Sequence, residues 1–255
     1  MFQILLTPSA GKRLIGKATA KLLFETEAIR TGIVGIIAGT TNAYVAEELL
    51  AILGQAEGFS RERFFRGITT AGRKQTDETG RLRGESQFFG DVIINKGTFV
   101  PGKTIDDYIS SFGAGDVIVK GANCVNRAGK MAGILIGHSE GGTIMKIMPA
   151  VIGRRTRLII PVGLEKRVSD DIGDISALLN TPGSSGFRMM PVFGELITEI
   201  EAIRILYGLS ARLVAGGGVS GAEGAIWIVV EGEKELLRAC ESNLRAICLE
   251  PQFAL

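Results

Sequence analysis

The sequence predicts an α/β protein: a mainly parallel sheet flanked by helices, followed by a small ferredoxin-like α+β unit. Three observations predict it. Apolar strand-like runs alternate with helical faces from Ile33 to Val162. A strand, a Gly-Thr-Thr turn and a helix follow one another around Gly39, which is half of a βαβ unit. Beyond Met189 the order reads β-α-β-β-α. The expected organisation is therefore an α/β ligand-binding domain over 1–180 and a small α+β domain over 189–255. Leu178 to Arg188, LLNTPGSSGFR, is the most linker-like stretch between them.

The elements follow in order. Leu14, Ala18, Leu22 and Ile29 recur at near-helical spacing, so a helix is expected from about 14 to 29. Gly32 breaks it, and Ile33 to Ala38 reads as a buried strand. After Gly39-Thr40-Thr41-Asn42 a second helix presents Ala46, Leu49, Leu50 and Leu53 on one face. Arg73 to Glu85 is polar and punctuated by glycine, the pattern of an exposed loop. Short strands are expected at Asp91 to Asn95, Asp116 to Lys120, Ala132 to Ile136 and Leu158 to Val162, where Pro161 suits a strand end. A helical face (Ile144, Ile147, Val151) precedes the last of these. In the C-terminal part, strands at 189–192, 211–215 and 225–230 alternate with helices at 196–207 and 233–247. Gly216 to Gly221 is a hairpin turn, because a strand follows it where a dinucleotide fingerprint needs a helix.

Composition narrows the function. The 255 residues hold 29 basic against 27 acidic side chains, a formal charge of +2, with 45% apolar residues. Such a chain can bury a core and is not disordered. The near-neutral balance argues against a nucleic-acid partner. Three cysteines without ligand spacing give no metal site, and no cofactor is expected; they fit a reducing, cytoplasmic setting. The start has no signal-peptide pattern. Thr31 to Ala46, the longest stretch without charge, is too short and polar to span a bilayer, so no membrane partner is expected. Glycine, at 35 residues, has roughly twice its usual share, which points to tight turns and backbone-lined ligand sites.

Several motifs carry chemistry. Gly39, Thr40, Thr41 and Asn42 sit where a strand's carboxyl end runs into a helix, where free N–H groups and the helix dipole favour an anion. The alternative is that a threonine hydroxyl caps the helix. Gly11 to Ala18 nearly matches a Walker A loop, but Ala18 replaces the hydroxyl that holds magnesium; it reads instead as a basic helix start with Lys17 reaching a phosphate. His138 and Glu140 flank Ser139 in a glycine loop. They are candidates for catalysis, although adjacent residues rarely converge as a triad must. The acidic run from Glu231 to Glu235 reads as a solvated helix start.

In this order the motifs resemble the superfamily of ribose-5-phosphate isomerase type A, glucosamine-6-phosphate deaminase and coenzyme A transferases, with the isomerase branch nearest. The likeness runs from about Lys17 to Lys166. It implies that Lys17 and the Gly39-Thr40-Thr41 loop contact phosphate. It also implies that Lys166, ending Leu158 to Lys166, contacts substrate. Where the isomerase carries aspartate-glycine-alanine-aspartate-glutamate-valine-aspartate, this chain reads Lys120-Gly121-Ala122-Asn123-Cys124-Val125-Asn126, so every acid is replaced. Isomerisation needs a base to move a proton between neighbouring carbons. The expectation is a phosphorylated sugar-like or nucleotide-like ligand held by Lys17, Gly39, Thr40, Thr41, Asn42, Gly121, Asn123 and Lys166. Lys120, His138 or Glu140 would serve any remaining chemistry. Two other functions compete with it. One is a non-catalytic sensor, with the C-terminal unit joining a homo-oligomer. The other is acyl transfer through Glu140, whose Ser-Glu-Gly-Gly setting resembles a transferase signature.

Overall fold

The computed structural model describes residues 1–67, 90–128 and 130–253. The loop expected at Arg73 to Glu85 lies outside the described residues. The central sheet has six strands in the order β10-β8-β5-β2-β3-β4. These are β2 (Ile33–Ile36), β3 (Val92–Asn95), β4 (Thr98–Phe99), β5 (Val117–Val119), β8 (Arg157–Pro161) and β10 (Glu195–Ile197). Pairing is parallel from β2 through β5 and β8 to β10, and antiparallel where β3 and β4 extend the other edge. The sheet is thus mixed but mostly parallel.

Alternate residues of the strands feed two cores. Val34, Ile36, Val92, Ile94, Val117, Val119 and Ile159 face helices α1 (Pro8–Phe24) and α3 (Thr40–Ile52). Ile93, Ile118, Leu158 and Ile160 face the other way, toward α4 (Ile105–Tyr108), α5 (Gly142–Met148) and part of an antiparallel sheet. That second sheet orders β6 (Cys124–Asn126), β7 (Met131–Ile136) and β9 (Arg188–Val192). Gly35 has to be a glycine, because a Cβ there would stand 2.8 Å from the ring of Phe112. Pro161 is the last residue of β8, the strand-end place expected for a proline.

The helix read from about residue 14 begins at Pro8. Thr7 caps it by accepting the Ala10 N–H, and proline takes the first turn, where no intrahelical donor is needed. It ends at Phe24, and a separate short helix, α2 (Ala28–Thr31), follows. Lys17 therefore lies well inside α1 instead of opening it.

The C-terminal part is built differently from the expected unit. Its hairpin, β11 (Ser210–Gly216) and β12 (Ile226–Glu231), takes its third strand from the N-terminus: β1 (Phe2–Leu6) pairs with β12 from Phe2↔Val230 to Leu6↔Ile226. Strand pairing also crosses the expected boundary, since β9 joins β7 and β10 joins β8. A helix not expected from sequence, α6 (Ile172–Leu179), precedes the linker-like stretch. Helices α7 (Glu199–Tyr207) and α8 (Lys234–Ile247) share one core with α1, β1 and the hairpin. Among the described residues no helix is long and apolar enough to cross a membrane.

Candidate functional site at the strand ends

The carboxyl ends of β2, β5, β8 and β10 lie side by side, and the ladder continues beyond them. Ile37 N–H donates to the Val119 carbonyl, Lys120 N–H to Ile159, and Val162 N–H to Ile197. These bonds fix the backbone from which the site's side chains project. At this edge of an open α/β sheet the loops can converge on a ligand.

Helix α3 begins here. Gly39 is its N-cap residue, and no side chain caps the helix. The capping alternative for Thr40 and Thr41 thus falls away: the Thr41 hydroxyl is buried without a hydrogen-bond partner. A Cβ on Gly39 would meet nothing within 4 Å, so the loop faces open space. Asn42, 1% exposed, ties the two central strands by donating to the carbonyls of Ile37 (2.8 Å) and Val119 (3.2 Å). Its Oδ1 is buried and unpartnered, 3.8 Å from where a Cβ of Gly121 would stand.

Asp91, fully buried at the start of β3, anchors the floor. Its Oδ1 accepts the Ala38 N–H (2.9 Å) and its Oδ2 accepts the Ile105 N–H (2.7 Å). Arg66 lies between Asp91 (3.5 Å) and the Thr143 hydroxyl (3.3 Å).

Two lysines follow neighbouring strands. Lys120 follows β5 and is half-buried; among the described residues it makes no ion pair within 4 Å and no side-chain hydrogen bond. Burial pushes its amine down to about 8; Asp91 opposes the shift, while Arg66 and Lys166 add to it. Lys166 lies in the turn after β8 and donates to the Ala122 carbonyl at 3.1 Å. Burial lowers its pKa as well, against the attraction of Glu165.

Behind that turn stand two carboxyls. Glu199, 1% exposed, accepts the Leu164 N–H at 2.9 Å and so holds the turn that presents Lys166. Burial, with the charge of Glu165 beside it, raises its pKa far above the carboxylate range. Gly11 of α1 leaves room for this side chain, since a Cβ there would come 2.4 Å from Glu199 Oε1. Lys12 reaches Glu165 at 3.9 Å. The edge therefore combines three lysines, one arginine and three carboxyls; Lys120 and Lys166 lack ion-pair partners among the described residues.

The residues read from sequence divide. Gly39, Thr40, Thr41, Asn42, Lys120, Gly121 and Lys166 come together at this edge. Asn123 does not serve it: its Oδ1 accepts the Leu135 N–H at 2.9 Å and ties the chain between β5 and β6 to β7. His138 and Glu140 are exposed in the loop before α5, where the Glu140 N–H donates to His138 Nδ1 at 3.1 Å. Lys17 is bound to Glu48 of α3 at 3.2 Å. Eight residues separate Thr40 from Glu48, about 12 Å along the helix. Lys17 lines a separate cavity of about 550 Å³ with Arg13, Glu48, Tyr207, Asn243 and Glu250.

Lys12, Arg66, Asp91, Glu165 and Glu199 were not anticipated. Glu165 stands beside Lys166 at the same strand end, a signal that was available. Glu199, inside the helix expected over 196–207, gave none. Among the described residues no group of three or more His, Cys, Asp or Glu could hold a metal ion. No family model matches the chain, and no curated protein matches it.

Proposed function

We propose that the protein binds a small phosphorylated molecule, sugar-like or nucleotide-like, across the ends of β2, β5 and β8. One observation carries the reading: Lys120, just after β5, and Lys166, in the turn after the adjacent β8, are half-buried and without an ion pair among the described residues. Desolvated cations beyond ion-pair distance of any carboxylate are costly unless an anion completes them. The uncapped start of α3 and the buried, unpartnered Oδ1 of Asn42 supply further polar groups on the same edge. On this reading the chain is a divergent relative of the isomerase, deaminase and transferase superfamily that keeps the ligand edge. Lys12, Lys120, Lys166 and Arg66 supply the positive field in place of Lys17.

The reading includes no aldose–ketose isomerisation. Asn123 and Asn126, at positions where the isomerase has acids, are bonded to Leu135 N–H and to the carbonyls of Ser169 and Asp170. Asp91 spends both oxygens on backbone donors. Purified protein is therefore expected to leave ribose 5-phosphate unconverted, and turnover at an enzymatic rate would contradict this.

Binding is tested by thermal shift with ribose 5-phosphate, AMP and acetyl-CoA, each variant compared with its own unliganded state. A ligand at a hundredfold excess over its Kd adds about 2.7 kcal/mol to the folded state. The sugar phosphate or the nucleotide is expected to stabilise, and Lys166→Met to abolish most of the effect. Stabilisation by acetyl-CoA alone, or by none of the three, would overturn the reading.

A further inference from the structure

We propose that Lys120 is a nucleophilic amine that forms an imine with the carbonyl group of an anionic ligand held at the strand ends. This rests on the binding reading above and names the chemical class of its ligand.

The argument is geometric first. Lys120 is anchored at its root by the bond from its N–H to Ile159, so the side chain rises from the seam between β5 and β8. Gly121 follows it, Gly39 leaves the neighbouring loop open, and Lys166 and Arg66 flank it with positive charge. Asp91, the acid that acts on it most directly, is committed to two backbone N–H groups and to Arg66. Structural lysines elsewhere in the protein are wired differently: Lys17 to Glu48, Lys146 to Asp106, Lys103 to Asp107. A lysine beside other cations and largely removed from water, its acidic neighbour already bonded elsewhere, has a far larger neutral fraction near pH 7 than a free lysine, and the neutral amine is the nucleophile. The effect is visible in its pKa of about 8.

The chemistry balances without a further reactant. The Nζ lone pair forms a bond to the carbonyl carbon as the C=O π pair moves onto oxygen. That oxygen then leaves as water carrying the two amine protons, and a C=N bond remains. The step is reversible, and nothing is oxidised or reduced. Lys166, Lys12 and Arg66 hold the ligand's anionic group, while Lys120, once neutral, is free to react.

Pyridoxal 5′-phosphate supplies an aldehyde and a phosphate in one molecule and serves as the probe. The protein is incubated with it at pH 7.5, reduced with borohydride and mapped by peptide mass spectrometry. The expected result is one dominant adduct, on Lys120, slowed at least fivefold by inorganic phosphate. Lys120→Arg and Lys120→Met should both lose that adduct while keeping their folded circular dichroism spectra. Adducts spread over exposed lysines such as Lys103 and Lys130, or a Lys120 adduct indifferent to phosphate, would overturn the proposal. If phosphate stabilises the protein against unfolding and Lys120 stays unlabelled, the imine is overturned and the anion site stands. If phosphate neither stabilises nor slows labelling, both readings fail.

Discussion

Two cationic clusters in this protein have opposite wiring. On the outer face of α1 and α3, Arg13 meets Glu47 (2.6 Å), Glu48 (2.7 Å) and Glu250 (2.8 Å). Arg61 adds bonds to Glu47 and Glu250, and both guanidiniums cover the Tyr44 ring, at 4.7 and 4.6 Å. Burial works against the Arg13 charge, yet its bonds to Glu250, Glu47 and Glu48 hold the cation more firmly than in water. At the strand ends, Lys120 and Lys166 have no such partners among the described residues, and burial drives both amines toward neutrality. A cation answered by the chain's own carboxylates stabilises the fold. One left unanswered weakens it, and on the proposed reading it serves a ligand.

The contrast can be broken by substitution. Arg13→Met should have the largest effect, because it removes the cation shared by Glu47, Glu48 and Glu250 and leaves the half-buried Glu48 and Glu250 with one cation each, Lys17 and Arg61. Removing one partner from a buried charge network costs about 3–5 kcal/mol. For a chain of this size that is a fall in Tm of about 6–20 °C, readable by thermal unfolding. A shift below 2 °C would show the network to be decorative.

Lys120→Met should act in the opposite direction and raise stability. The folded pKa lies below the ordinary lysine value of 10.5, at about 8. The folded state thus pays for charging this amine at every pH below 8, and the cost disappears as the pH rises from 8 to 10.5. Discounted for the partial exposure of the side chain, the gain at pH 7 is about 1–2 kcal/mol, shrinking above pH 9. Denaturant unfolding at pH 7 and pH 10 measures both; a destabilised variant at pH 7 would contradict the wiring argument.

Glu199→Gln gives a smaller, pH-dependent change. The raised pKa means that the folded state prefers the protonated carboxyl, so the stability it lends in acid is lost as the pH climbs through that raised value. Glutamine can still accept the Leu164 N–H and cannot ionise. The variant should match wild type near pH 5 and exceed it by about 1 kcal/mol at pH 9. Equal unfolding curves at both pH values would refute this.

Lys17→Ala should do least. Its bond to Glu48 joins a lysine whose side chain is 43% exposed, and such pairs contribute about 0.2–1 kcal/mol. Phosphate-induced stabilisation should be unchanged in this variant. Its loss would move the anion site toward α1.

The sequence was most legible where one local rule decides the outcome. Apolar runs at 33–36, 117–119 and 157–161 became strands, and the Gly39 turn opened α3, because buried strands and strand–helix turns are written in contiguous residues. Long-range pairing was not legible. Phe2–Leu6 is five residues long, and its partner β12 lies at the far end of the chain, so no local pattern signals that β1 completes the C-terminal sheet. The start of α1 was missed because apolar periodicity begins at Leu14, whereas the Thr7 cap and Pro8 carry the boundary. For the site, Lys120 and Lys166 were both legible from their places after strands, and the structure brings them near each other. Glu199 and Asp91 act through tertiary contacts to Leu164, Ala38 and Ile105, and spacing cannot show that.

The proposed anion site stands or falls on Lys120 and Lys166. A pH titration of the Lys120 side chain tests it most directly, by NMR of protein labelled with ¹³C at the lysine ε-carbons and assigned with Lys120→Arg. The account predicts a midpoint near 8 for the free protein, moving upward by about one unit or more when saturating inorganic phosphate supplies the missing negative charge. A midpoint at the ordinary lysine value, unmoved by phosphate, would contradict it.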